Sequence, residues 1–247
     1  MNGKHLCSVV LLCLLAAACT KPSGQLKIDF SFHIDGTPLE RDTFLYRNAA
    51  GNEYKVTDLQ FFISNVVLTM ADGTRVPIVC DKAAHYVDAV LDSTLSWIPA
   101  DELPCGAYKS IEFCFGLAPE LNYTGAYPSA PENNMSWPAL LGGGYHYMKI
   151  NGFWQSPDRT AKPFALHTGR TVTDGETADH SFTVSLPLSQ FAVSKESVAN
   201  LTIAMNINGW FNAPNLINLD ETGGSIMQNQ LIQEQLAENG SQVFTAQ

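Results

Sequence analysis

The stretch Gly106-Ala-Tyr-Lys-Ser-Ile-Glu-Phe-Cys-Phe-Gly116 gives the clearest indication of the fold class. Its residues alternate between two sides, a period typical of a half-buried β-strand. The alternation places Lys109, Ile111, Phe113 and Phe115 on one side, opposite Tyr108, Ser110, Glu112 and Cys114.

Other segments show the same period, or runs of β-branched and aromatic residues that favour strands. Turn signals such as Asp35-Gly36 and Asp72-Gly73 separate them and are typical of hairpins. Only residues 224–236 have a helical pattern. We therefore predict an all-β fold, an antiparallel β-sandwich with long loops and one or two short helices. The strand segments are 26–34, 59–68, 85–88, 145–150, 164–167, 182–186 and 201–207.

The N-terminal residues indicate an exported protein. Lys4 and His5 precede an apolar run that ends in Ala16-Ala-Ala-Cys19, the order of a bacterial lipoprotein signal peptide. We predict a signal peptide over residues 1–18, a lipidated Cys19 with a tether over residues 19–25, and one domain over residues 26–247. The expected location is the cell envelope, anchored by lipid, on the outer membrane facing the periplasm.

Charge and cysteine content narrow the function classes. Removing Lys4 with the signal peptide changes the formal net charge from −10 to −11. Nucleic-acid binding is excluded because it needs clustered Lys and Arg, and this chain has no such cluster. Three cysteines remain in the predicted domain, for which we expect one disulfide and one buried thiol of unassigned pairing. These are Cys80, Cys105 and Cys114.

Two histidines mark the most informative region for function. The stretch Met135-Ser-Trp-Pro-Ala-Leu-Leu-Gly-Gly-Gly-Tyr-His-Tyr-Met-Lys-Ile-Asn-Gly152 combines a glycine loop with a predicted strand, and Ala165-Leu-His-Thr-Gly169 ends the next strand. His146 and His167 could meet across neighbouring strands, which lie roughly 4.8 Å apart. Imidazole binds Cu, Zn, Ni and Fe. Spacing alone leaves open whether they form a metal site or are hydrogen-bonded residues without a metal.

An ordered set of motifs resembles the signature of MbnP-like proteins. The set includes Met135-Ser-Trp137, Gly144-Tyr-His-Tyr-Met-Lys-Ile-Asn-Gly152 and His167-Thr-Gly169, with Tyr46-Arg-Asn-Ala-Ala-Gly51 and Asn208-Gly-Trp-Phe211 on either side. This family of periplasmic copper-binding proteins is related to MopE and CorA of methanotrophs. The resemblance implies a β-sandwich that binds copper. It also implies a partner di-haem peroxidase that oxidises a Trp to kynurenine, which joins two His at Cu(I).

Residue by residue, Trp137 matches the modifiable Trp and His167 matches a histidine ligand. Relatives commonly have an aromatic residue or a His two positions after that Trp, where this chain has Ala139. We therefore take His146 as the second candidate ligand and His33 as the third. The resulting interpretation is a copper-binding protein for acquisition, storage or delivery of copper, without catalytic turnover.

Two other functions are consistent with the sequence. A metal-free binding or adhesion module could hold a glycan or a protein partner on an exposed aromatic face made of Tyr145, Tyr147, Trp154, Trp210 and Phe211. An enzyme could use the histidine site as a catalytic metal centre with an open coordination position. No GxSxG, HExxH or Walker motif supports an enzyme of another kind.

Overall fold

A computed structural model describes residues 22–80 and 82–247. The predicted signal peptide (residues 1–18) and Cys19 lie outside the described residues. In the described part, no helix combines the length and the apolar character needed to cross a membrane. Within the described residues the first strand begins at Ser23, so residues 23–25 of the predicted tether are part of that strand.

Sixteen strands, three short α-helices and three 3-10 turns make up the described chain. The strands are β1 (Ser23–Ile34), β2 (Thr37–Pro38), β3 (Tyr46–Arg47), β4 (Glu53–Met70), β5 (Arg75–Pro77), β6 (Ala84–Asp88), β7 (Ser96–Trp97), β8 (Leu103–Pro104), β9 (Gly106–Phe115), β10 (Met148–Gln155), β11 (Ala161–Thr168), β12 (Thr171–Thr173), β13 (Glu176–Ala178), β14 (Phe182–Val193), β15 (Val198–Asn206) and β16 (Phe244–Ala246). The α-helices are α1 (Gly209–Asn212), α2 (Leu219–Thr222) and α3 (Gln230–Gly240), and the 3-10 turns span Asp92–Thr94, Glu132–Met135 and Ala139–Leu141.

Two sheets face each other and enclose the core. The larger has the order β11-β10-β4-β9-β14, and the smaller has the order β16-β15-β1-β2. Short strands pair with β4 in the larger sheet and with β1 in the smaller one, and β12 and β13 form a separate hairpin. Leu26, Ile28 and Phe30 alternate into the core from β1, where Phe30 packs edge-on against Phe61 of β4. The prediction of an all-β sandwich is confirmed.

The sandwich departs from the predicted antiparallel pattern at one pair of strands. β1 and β15 run parallel, from Gln25 opposite Val198 to His33 opposite Asn206. A parallel pair needs a long connection, and here the whole larger sheet lies between the two strands in sequence. Pairing two segments so distant in the chain places the N-terminal strand inside the smaller sheet.

The predicted alternation of β9 holds in its second half. Ile111, Phe113 and Phe115 point into the core, but Tyr108 is also buried while Lys109 is exposed. The pairing of β9 with β4 shifts register between Thr69 and Met70. A β-bulge adds one unpaired residue and turns the following side chains to the other face. The prediction that Tyr108 lies on the same side as Cys114 is therefore wrong.

The helical tail begins later and extends further than the sequence pattern indicated. α3 starts at Gln230, where the Asn229 side chain accepts a hydrogen bond from the Ile232 amide and caps the first turn. Its Leu236 is fully buried against the sandwich. The other two α-helices, α1 and α2, are single turns of four residues each. The sequence pattern indicated only the helix in the tail.

Candidate metal centre

The three consecutive glycines before His146 reverse the chain. Gly142, Gly143 and Gly144 all have positive φ values, of 101°, 64° and 81°. Glycine adopts this region without the steric penalty of a Cβ. After the reversal, the Gly144 carbonyl accepts a hydrogen bond from the Trp137 amide at 2.9 Å. The reversed chain thus pairs with the segment around Trp137.

His146 does not lie in the middle of a strand, as the alternation of residues 145–150 predicted. β10 begins at Met148, and the His146 amide donates to the Met135 carbonyl at 2.6 Å. The glycine reversal causes this difference, because it pairs His146 with the 3-10 turn that contains Met135. His167 lies near the end of β11, as predicted, on the sheet face that points away from the core.

The structure brings the two histidines and the tryptophan together. The ring centroids of His146 and His167 are 5.1 Å apart, with the rings nearly perpendicular at 83°. The Trp137 ring lies 4.6 Å from His146, again edge-on. Lys149 of β10 is directly opposite His167 in the antiparallel β10–β11 pair. The cluster therefore covers the outer face of the β10–β11 hairpin.

Each imidazole has a ring nitrogen that is hydrogen-bonded to a protein oxygen. Nδ1 of His146 is 2.9 Å from the Met135 carbonyl oxygen. Nε2 of His167 is 2.8 Å from Oδ1 of Asn151. Hydrogen bonds of this kind orient the rings of metal-ligating histidines and leave the second nitrogen for the metal.

Both rings are neutral near pH 7. Burial, together with the positive charge of Lys149, lowers the pKa of His146 to about 3. Burial and Lys149 also lower the pKa of His167 to about 4. Neutral imidazole is the form that binds a metal ion, since protonation removes the lone pair. The site therefore presents two uncharged nitrogen donors.

His33, the third candidate, lies apart from this pair. It is near the end of β1 in the smaller sheet, where its Nδ1 accepts a hydrogen bond from the Gly36 amide at 3.2 Å. Across residues 22–80 and 82–247, no three side chains of His, Cys, Asp or Glu come together in an arrangement that could hold a metal ion. A centre at His146 and His167 therefore contains two of the three predicted histidines.

Trp137 is the third side chain of the cluster, next to His146. Its indole Nε1–H donates to the Leu141 carbonyl at 2.9 Å. Because the nitrogen lone pair is part of the aromatic system, the unmodified ring offers no donor to a metal ion. Gly169 supports the ring from below, because a Cβ at Gly169 would lie 2.7–2.8 Å from three indole carbons. The His167-Thr-Gly169 motif thus supplies both a ligand candidate and the surface that seats Trp137.

Sequence reasoning missed two polar residues that hold the motif. Asn151 lies within the central stretch, where no motif indicated a role for it, and its side chain is hydrogen-bonded to His167. Gln233, fully buried on α3, donates to the His167 carbonyl at 2.8 Å and accepts from the Gly169 amide at 3.2 Å. The only sequence feature that could have indicated Gln233 is its position, a polar residue among the apolar positions of the helical tail.

The exposed aromatic face required by the adhesion alternative does not exist. Side-chain burial is nearly complete for all of its proposed members, which are Tyr145, Tyr147, Trp154, Trp210 and Phe211. Tyr145 and Tyr147 belong to a small second core on the outer side of the larger sheet, together with Phe62, Tyr86 and Tyr127. The aromatic residues are structural in this fold.

The expected disulfide is also not formed. Among the residues that the structure describes, Cys80, Cys105 and Cys114 make no disulfide with one another. The three lie at separate places, after β5, between β8 and β9, and on the outward side of β9. Cys114 Sγ instead donates to the Phe115 carbonyl at 3.7 Å.

Comparisons with known proteins identify the family and a structure of similar fold. The sequence matches the profile of the MbnP family over residues 23–228. The chain belongs to the MbnP family. MbnP from Methylosinus trichosporium has a similar structure, with a TM-score of 0.58 and 14% sequence identity, over 91% of this chain and 98% of that chain. At that identity the likeness concerns the fold alone. No curated protein gave a significant match.

Proposed function

We propose that this MbnP-family protein binds copper in the periplasm and serves its acquisition, storage or delivery, without catalytic turnover. The observation that carries the proposal is the pair of neutral imidazoles, His146 and His167, whose ring centroids are 5.1 Å apart beside Trp137. Copper is the cargo, and His146 and His167 are its nitrogen ligands. A lipid on Cys19 anchors the domain to the outer membrane.

The donor set supports copper over harder cations. Mg²⁺ and Ca²⁺ require several oxygen ligands, whereas imidazole nitrogens suit copper and its neighbours in the transition series. A structural zinc site usually has four protein ligands, and no group of three or more such side chains is found in the described part of the chain. Two neutral nitrogen donors fit an ion that accepts a low coordination number.

Trp137 is proposed as the residue that completes the site after modification. Its unmodified indole nitrogen is committed to the Leu141 carbonyl. Oxidation to kynurenine by a di-haem peroxidase partner, with hydrogen peroxide as the oxidant, would open the five-membered ring, release its C2 carbon as formate and expose new nitrogen and oxygen donors. The contact between Trp137 and His146, at 4.6 Å between ring centroids, supports this role because the new donors would form next to a ligand.

The proposal is tested by metal analysis of protein matured in its native host. We expect about one copper ion per wild-type chain and almost none in the His146→Ala, His167→Ala double variant, because both nitrogen ligands are lost. His33→Ala is the matched control, since His33 lies in the smaller sheet, and its copper content should equal that of the wild type. Equal copper in the double variant and the wild type would exclude these ligands.

Two further measurements separate the other parts of the proposal. Peptide mass spectrometry of the native protein should find kynurenine at residue 137, and an unmodified Trp137 would leave a two-histidine site. Cys19→Ala should move the protein from the membrane fraction to the soluble fraction, and continued membrane association would contradict the lipid anchor.

A further inference from the structure

The two ligand candidates use opposite ring nitrogens for their hydrogen bonds. His146 uses Nδ1, which faces the Met135 carbonyl, whereas His167 uses Nε2, which faces Oδ1 of Asn151. Both acceptors are oxygens that cannot donate a proton. In a neutral imidazole one nitrogen carries the proton and the other carries the lone pair. Each bond therefore requires the proton on the nitrogen that makes it.

We infer that Asn151 is a positioning residue that holds His167 as the Nε2–H tautomer, so that a metal ion meets Nδ1 of His167 and Nε2 of His146. The inference rests on the proposed function only for the metal, since the tautomers are properties of the metal-free protein. The site is thus asymmetric, with one histidine binding through each type of nitrogen.

The fold explains why a side chain performs this task for His167. His146 follows a glycine reversal that places it next to a backbone carbonyl of Met135. His167 lies within β11, opposite Lys149 of β10, and its side chain stands out from the face of the sheet. An acceptor for its ring must therefore come from a side chain on the same face of the sheet. Asn151 lies on β10 two positions from Lys149, which is the direct partner of His167.

The surroundings fix the His167 backbone as well. Gln233 of α3 binds the His167 carbonyl, and the adjoining Gly169 amide binds Gln233 in turn. With the backbone held by α3 and the ring held by Asn151, both the position and the proton of His167 are set before any metal arrives. Preorganisation of this kind lowers the cost of binding.

The tautomers can be read directly from the metal-free protein labelled with ¹⁵N in its histidines. Long-range ¹H–¹⁵N NMR distinguishes a protonated from an unprotonated ring nitrogen. In the wild type we expect His167 as Nε2–H and His146 as Nδ1–H. In Asn151→Leu, His167 should lose its single tautomer, whereas Asn151→Asp should retain it because the carboxylate is still an acceptor. His146 is the internal control and should not change.

Metal affinity provides the second measurement. Cu(I) affinity, measured by competition with a chromogenic chelator, should fall about 10–100-fold in Asn151→Leu and recover in Asn151→Asp, the range seen when outer-shell partners are removed. Asn200→Leu, an exposed strand position of β15, is the matched control and should bind like the wild type. Equal Cu(I) affinity in Asn151→Leu and the wild type would overturn the positioning role.

Silver separates a failure of this inference from a failure of the proposed function. Ag(I) has the same d¹⁰ configuration as Cu(I) and is stable in air, and its binding should shift the ¹⁵N resonances of His167 Nδ1 and His146 Nε2. A wild-type His167 protonated at Nδ1 would overturn the inference about Asn151. The expected tautomers together with no shift on adding Ag(I) or Cu(I) would support the role of Asn151 in the metal-free protein and reject the metal site itself.

Discussion

Gly169→Ala is expected to displace Trp137, because the indole ring rests on the glycine. A Cβ at this position would lie 2.7–2.8 Å from three ring carbons, whereas ordinary contact begins at 3.4 Å. To restore ordinary contact, the ring or the backbone at residue 169 must therefore move by about 0.6–0.7 Å, and close-packed interiors resist such shifts. Overpacking of this type costs about 1–3 kcal/mol, and each kcal/mol lowers the thermal midpoint by about 2–4 °C in a domain of this size.

A double-mutant cycle assigns that cost to the Trp137 contact. Unfolding free energies of the wild type, Gly169→Ala, Trp137→Ala and the double variant are measured in urea. If the clash with the indole is the cause, the Gly169→Ala penalty should fall below about 0.5 kcal/mol when Trp137 is already Ala. A penalty of the same size in both backgrounds would refute the reasoning, since it would place the cost in the backbone of residue 169.

Three further predictions concern the support and charge of the site. Gln233→Leu should reduce the free energy of unfolding by about 1–3 kcal/mol for each buried group left unpaired, because the Gly169 amide and the carbonyls of His167 and Ile226 lose a partner. A loss under about 1 kcal/mol in urea unfolding would contradict this. Metal-free protein should lose stability as the pH falls from 6.5 towards 3, because the unfolded chain protonates His146 and His167 while the folded chain does not, on the order of 4 kcal/mol for His146. His146→Gln should reduce this dependence and leave the part that comes from His167, and an unchanged pH profile would count against the lowered pKa of His146. Lys149→Met should raise the pKa of His167 by removing a neighbouring positive charge, and an NMR titration showing no rise would exclude that cause.

Much of the fold could be predicted from local patterns. Ile111, Phe113 and Phe115 face the core as their alternation indicated, and the strand that contains His85 forms as predicted. The bulge near Tyr108 could not be predicted, because it depends on the register of β9 against β4 rather than on either strand alone. The parallel pairing of β1 with β15 is similarly a choice between distant segments.

The candidate site, like the fold, could be predicted from the sequence only in part. The motifs around Trp137, His146 and His167 identified the region, and the structure places the three side chains in contact. The only sequence feature in favour of His33 was its position on a polar strand face, and a polar face is common to solvent-facing strand residues. His33 lies in the smaller sheet, whereas His167 lies in the larger one. No local pattern could reveal that separation.

The sequence by itself determined the class of fold, the family and the chemical types gathered near the site, because alternation, turn residues and ordered motifs are local properties of the chain. Only the tertiary structure decided which atoms meet. Asn151 reaches His167 across a hairpin, and Gln233 reaches the same residue from a helix 66 positions later in the chain. Those contacts depend on strand register and helix docking, which arise from burial of the whole core and leave no mark in the neighbouring sequence.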